Sequence, residues 1–251
     1  MSIAQQHRVE ENVNKKPSFI EILTDPYLHI LLWCLRRTIP KQQIFWHCAP
    51  PAEDEPCIFV CNHEHAYGPV AMCTGFPYKF RPWVDGAMSN VITARRHLQK
   101  TLIRAKSWPA RVAAFLLSYF MVLPSMEALR ELKAIHVHRD KRVVKTINTS
   151  VDSLIKGENN VIFPEYQELP YSDIIGDFHL GFIHVAKQYY LRSGKQLAFF
   201  PVFLRREGRE SGEIHIGAPI SFDPSIASQY QKEQIGKYLR DEIINMSKKV
   251  L

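Results

Sequence analysis

The chain has 251 residues and is 46% apolar, ordinary for one well-cored soluble α/β domain, and no stretch approaches the roughly 18–20 consecutive apolar residues of a membrane-crossing helix, which argues against an integral membrane protein. Lys and Arg outnumber Asp and Glu by 32 to 25, giving a formal charge of +7 and a pI near 9.1. That balance favours an anionic partner such as a membrane surface, a phosphorylated substrate or nucleic acid. The five cysteines, Cys34, Cys48, Cys57, Cys61 and Cys73, are odd in number, and the opening MSIAQQHRVEENVNKK has neither a secretory apolar core nor a cleavage site. A reducing, cytoplasmic setting is therefore expected.

In chain order, the first element is a helical segment near 26–38 that carries YLHILLWCL and is followed by Arg36, Arg37 and Lys41. CIFVC (57–61) reads as a short buried strand, and GPVAMCTGF reads as a helix ending around Gly75 to Pro77. A second apolar run, VAAFLLSYFMVL (112–123), follows a basic stretch with Arg95, Arg96, Lys100, Arg104, Lys106 and Arg111. Both cation-flanked runs suit a protein lying on anionic lipid. They are equally readable as core helices with solvated basic neighbours. AIHVH (134–138) is the next strand, and Val144, Ile147, Val151, Leu154 and Ile155 repeat with a helical period up to a stop at Gly157. NVIFPE (160–165) predicts a strand running into a proline, and 181–194 a helix closed by Gly194. LAFFPVFL (197–204) fits a strand covered on both faces, 212–222 one or two late strands, and 229–250 a basic terminal helix. The alternation implies a layered α/β domain over 51–251 with a largely parallel or mixed central sheet flanked by helices, after an N-terminal helical segment over 1–50.

In such sheets function gathers where strands end and helices begin. CNHEHAYGP (61–69) puts His63 just past the carboxyl end of the first strand, where an imidazole can accept a proton. Cys57, Cys61, His63 and His65 crowd together, but four residues of extended chain separate the two cysteines by about 13 Å, too far for one zinc ion. His136 and His138 share a strand face and make only half a site, so no metal is expected. The basic residues interleave with Leu, Ile and Val without a nucleic-acid motif, which argues against a nucleic-acid partner.

Five stretches stand in series: VCNH, then IHVHRD with Arg139 and Asp140, then VIFPE with Phe163, Pro164 and Glu165, then FHLGFIHVA with Phe178 and Gly181, then FFPVFL with Pro201 and Val202. Over roughly residues 56–205 this series resembles the glycerolipid acyltransferase family, whose best-known members acylate lysophosphatidic acid. The resemblance implies a fold of that kind and an acyl transfer from a thioester donor, acyl-CoA or acyl-ACP, to a hydroxyl of a lysolipid or other polar acceptor. No bound cofactor is implied. His63 would be the general base, and Arg139, Phe163, Pro164 and Glu165 would line the acceptor site, the arginine on a phosphate or other anionic group and the glutamate on a hydroxyl or a neighbouring cation. Phospholipid biosynthesis at the cytoplasmic face of a membrane is the corresponding setting. The rival is a protein of the same fold that binds lipid without turnover.

The chain departs from the family pattern in several places. The family carries an aspartate five residues after the histidine, and Gly68 stands there. An orienting carboxylate of this kind is worth about four orders of magnitude in hydrolase triads. Glu64 and Tyr67 are the candidates to support His63 instead; an aspartate at 68 is expected to raise activity if the site has merely lost its carboxylate, and to lower it if the site is rebuilt around Glu64, Tyr67 or another partner. Tyr166, Gln167 and Glu168 replace the Gly-Thr-Arg that usually follows Phe-Pro-Glu, and His179 replaces a lysine. Both changes remove positive charge, which argues against glycerol phosphate as the acceptor. The segment 95–123 lengthens the gap between His63 and Glu165 and reads as a membrane or acyl-chain element.

Overall fold

The computed structural model describes residues 41–52, 54–64, 67–102, 108–138, 140–166, 175–207 and 211–250. The helix expected near 26–38, together with His65, Arg139, Gln167 and Glu168, lies outside the described residues. Among the described residues the strands are β1 (Lys41–Trp46), β2 (Cys57–Cys61), β3 (Phe80–Asp85), β4 (Ile135–Val137), β5 (Asn159–Ile162), β6 (Ala198–Glu207), β7 (Ser211–Ile216) and β8 (Ile220–Ser221). The helices are α1 (Tyr67–Gly75), α2 (Val91–Leu102), α3 (Trp108–Glu131), α4 (Val143–Ile155), α5 (His184–Ser193) and α6 (Ser228–Val250), with single 3₁₀ turns at Gly86–Ser89 and Leu180–Ile183.

One sheet runs in the order β1-β7-β6-β2-β5-β3-β4, with β8 paired to β6. All its pairings are parallel except those of β6 with β7 and β8. The two continuous apolar runs, β2 and the first part of β6, lie side by side near its centre, as strands buried on both faces must. Alternate side chains of β2 feed two cores. Ile58 and Val60 pack with Val151 and Leu154 of α4, Tyr189 of α5 and Leu239 and Ile243 of α6. Cys57, Phe59 and Cys61 pack with Met72 of α1 and Phe76 on the opposite face. Pro201 sits in β6 between the residues that pair with β8 and those that pair with β7, so its missing N–H removes no bond to either antiparallel partner.

Helix ends follow the glycines. The Glu158 N–H donates to the Ser153 carbonyl (3.0 Å) around Gly157 at φ +80°, and the Gly194 N–H donates to Tyr190 (2.8 Å) at φ +70°. The sequence reading misses β1 and β3. Lys41–Trp46, inside the segment assigned to an N-terminal helical region, is an edge strand paired along its whole length with β7. Within the 95–123 segment, residues 95–102 belong to α2 and 108–123 to α3, and among the described residues no helix is long and apolar enough to cross a membrane.

Burial lowers the pKa of three histidines, His47, His136 and His184, with further lowering from His215, His138 and Lys232 respectively. A histidine that binds its proton less tightly when folded makes the unfolded chain the better proton acceptor below about pH 6.5. Stability is therefore full above that pH and is lost progressively as pH falls through the lowered folded values. The urea midpoint is expected to be lower at pH 5.5 than at pH 7.5; equal midpoints would contradict this linkage.

Candidate active site

β2, β5, β3 and β4 run parallel, so their carboxyl ends open on one edge of the sheet. The chain leaving β2 enters α1 on one face, and the chain leaving β5 reaches α5 on the other. Adjacent strands whose exits diverge in this way leave a crevice between them. His63 follows β2 into that crevice, and Phe163, Pro164 and Glu165 follow β5 into it.

Asn62 fixes the first loop. Its side chain is fully buried, donates from Nδ2 to the Leu204 carbonyl (3.1 Å) and accepts the Leu204 N–H on Oδ1 (2.6 Å). The amide thus continues the β2–β6 ladder one residue past the strand, pairing backbone groups of β6 that would otherwise be orphaned. Glu64 then adopts φ +39°, an uncommon value for a non-glycine residue, and its carbonyl accepts the Tyr67 N–H (3.2 Å) as α1 begins. His63, just before Glu64, is half-buried, with its ring 5.4 Å from that of Phe163 and tilted by 58°.

Glu165 ties the two strand ends together. It is only 7% exposed; Oε1 accepts the His63 backbone N–H (2.5 Å) and Oε2 accepts the Gly176 N–H (2.9 Å). A buried carboxylate is tolerated when charge-assisted hydrogen bonds of this kind replace water. Around it, Glu165 pairs in antiparallel fashion with Phe178, and the His179 N–H donates to the Pro164 carbonyl (2.8 Å). The glutamate therefore positions the histidine loop as well as lining the cavity.

The candidates for support of His63 behave differently. The Tyr67 hydroxyl donates to Gln42 Oε1 (2.6 Å) and approaches the Arg205 carbonyl (3.3 Å), which commits it to β1 and β6. Burial raises its pKa, so it stays a protonated donor at neutral pH. Gly68 does not accept a side chain: a Cβ there would run into the His63 carbonyl oxygen. Of the two outcomes expected for an aspartate at 68, this geometry favours loss, because α1 packs too closely on the loop that presents His63. The Asn62 amide and the tight packing at Gly68 are the determinants that the sequence reading missed. Asn62 stood beside His63 in the quoted motif, and its position at the end of an apolar strand was the available signal.

The crevice opens into a cavity of about 1210 Å³. Val70 and Met72 of α1, Phe80 of β3, Leu98 of α2 and Ala128 and Leu129 of α3 are among the side chains of its apolar part. His63, His138, Arg142, Tyr166, His179 and Lys232 are among its polar ones. The Arg142 guanidinium also pairs with Asp140 (2.7 Å), which holds that exposed carboxyl down at about 2. Among the described residues no group of three His, Cys, Asp or Glu side chains is arranged to hold a metal ion.

Two substitutions test this construction. Asn62→Ala leaves the Leu204 N–H and C=O buried and unpaired, and a loss of about 2–4 kcal/mol in unfolding free energy is expected; a change within the error of a urea titration would contradict the role. Glu165→Gln keeps the shape but exchanges one acceptor oxygen for a donor, so hydrogen exchange at the His63 or Gly176 amide should accelerate while the rest of the sheet stays protected. Unchanged exchange at both amides would contradict it.

No family model and no curated protein sequence matches this chain. Among solved structures it is similar to the 1-acyl-sn-glycerophosphate (LPA) acyltransferase PlsC from Thermotoga maritima, at 12% identity and a TM-score of 0.50, over 98% of this chain and 84% of that one. At that identity the likeness is one of fold: a mixed, mostly parallel sheet flanked by helices, as in that acyltransferase.

Proposed function

We propose that the protein is an acyltransferase that moves a fatty acyl group from a thioester, acyl-CoA or acyl-ACP, to the hydroxyl of a lysolipid or other polar acceptor, with His63 as general base. One observation carries the reading: His63 stands at the divergent strand ends and shares a single large cavity with the Phe163–Glu165 turn and an apolar chamber. The acceptor oxygen attacks the thioester carbonyl as the His63 imidazole takes its proton. A C–O bond forms, the C–S bond breaks, and the imidazolium returns the proton to the departing thiolate, so no external acid or base is consumed. The apolar part of the cavity suits an acyl chain, and Arg142, Lys232 and the histidines suit an acceptor with an anionic or polar head. Arg139 would add a second guanidinium, as the family resemblance implies. We place the enzyme on the cytoplasmic face of an anionic membrane, in lipid metabolism.

A second reading, lipid binding without turnover, draws support from Gly68. The position that holds the family's orienting carboxylate has no room for a side chain, so the motif cannot operate here in its usual form.

The deciding assay offers purified protein acyl-CoA and acyl-ACP donors with mixed lysolipid and polar acceptors and follows ester formation. His63→Ala should lower the rate by about a hundredfold or more. Tight lipid binding with no His63-dependent ester would favour the second reading. Gly68→Asp is expected to reduce both activity and thermal stability, because its Cβ displaces the His63 carbonyl; a rise in activity would show a site merely missing its carboxylate.

A further inference from the structure

α3 breaks the usual pattern of a helix on a globular protein, which turns an apolar face inward and a polar face to water. Trp108, Val112, Phe115, Leu116 and Leu123 are all exposed, Trp108 by 76% and Leu123 by 64%. At 100° per residue they fall within an arc of about 100°, one stripe some 22 Å long. The hydroxyl of Ser118, in the middle of the same helix, is buried and donates to the Phe115 carbonyl (2.6 Å). The inner side of α3 is apolar as well, with Ala128 and Leu129 among the residues that line the cavity.

Charge selects the partner. From Gly86 to Met126 the sequence contains no Asp or Glu, but it has Arg95, Arg96, Lys100, Arg104, Lys106 and Arg111. Of the side chains described there, Arg96 is exposed, and the Arg95 guanidinium lies 6.0 Å over the ring of Phe115 at the rim of the stripe. A second copy of the chain would set this basic region against itself, since a two-fold contact joins like to like. An anionic bilayer satisfies both the apolar and the basic character of this region: acyl chains take the stripe, and headgroups take exposed cations such as Arg96.

We propose that the outer face of α3 is a docking surface for an anionic lipid bilayer, and that it sets the membrane one helix diameter, about 10 Å, from the cavity that holds His63. A lipid-borne acceptor then reaches the chamber past the same helix on which the protein rests. The docking stands on the exposed stripe and its charge; only the cargo rests on the acyltransferase reading.

The test uses the full chain with vesicles of phosphatidylcholine, alone or mixed with phosphatidylglycerol. Co-sedimentation should require the anionic lipid and weaken in high salt, and brominated lipid should quench a fluorescence component that Trp108→Phe removes. The triple substitution Phe115→Ser, Leu116→Ser and Leu123→Ser removes apolar side chains that lie outside the cavity. It should lower vesicle partition by about tenfold or more while leaving the folded state, and any transfer to a water-soluble acceptor, unchanged. Parent-like vesicle binding by the triple variant would overturn the proposal. So would absence of Trp108 quenching, or self-association that the triple variant abolishes and that excludes vesicles. Because binding is read without turnover, a silent acyl-transfer assay would count against the enzyme reading alone.

Discussion

A single buried carboxylate organises the site. Glu165 holds the His63 amide on one oxygen and the Gly176 amide on the other, so the loop after β2, the turn after β5 and the approach to the next helix meet at one charge. Removing a carboxylate from water is unfavourable by several kcal/mol unless its lone pairs are satisfied, and here two backbone donors do so. The arrangement exists because β2 and β5 are parallel neighbours whose chains diverge to opposite faces of the sheet. The fold supplies the crevice, and the carboxylate ties its two sides together.

Asn62 complements this from the other side. Its amide pairs with Leu204 in β6, so the histidine loop is pinned to two strands, by Asn62 to β6 and by Glu165 to the end of β5. The close packing of Gly68 on the His63 carbonyl is the third restraint, imposed by sterics rather than hydrogen bonding. The imidazole proposed as base needs a fixed position, and the Glu165 and Gly68 contacts to the His63 main chain, with Asn62 pinning the adjacent residue to β6, help provide one. They act on the main chain and differ from a carboxylate set against the ring, so the loop is supported although position 68 offers no carboxylate.

Much of this was legible in the sequence, for reasons that also mark where legibility ended. β2 and β6 showed as continuous apolar runs because they are buried on both faces, and α4 and α5 showed through their period and the glycines at their ends. β1, KQQIFW, hides because an edge strand faces solvent and keeps polar residues; β3, FRPWVD, hides behind an arginine and a proline. The motif residues His63, Phe163, Pro164 and Glu165 were found in order, and the structure brings them to one crevice. What sequence could not give was direction: that Glu165 turns its oxygens onto backbone amides, that the Tyr67 hydroxyl goes to Gln42, and that no Cβ fits at 68. Each depends on where the chain doubles back in space.

Under the proposed function, the cavity beside His63 takes an acyl thioester with its reacting carbon at the imidazole. A crystal structure with an unreactive thioether analogue of acyl-CoA tests it most directly. The expected result is the alkyl chain in the apolar chamber beside Met72, Phe80 and Leu129, with the carbon that replaces the carbonyl next to His63. Density for the analogue elsewhere on the protein, with the chamber and His63 untouched, would contradict it.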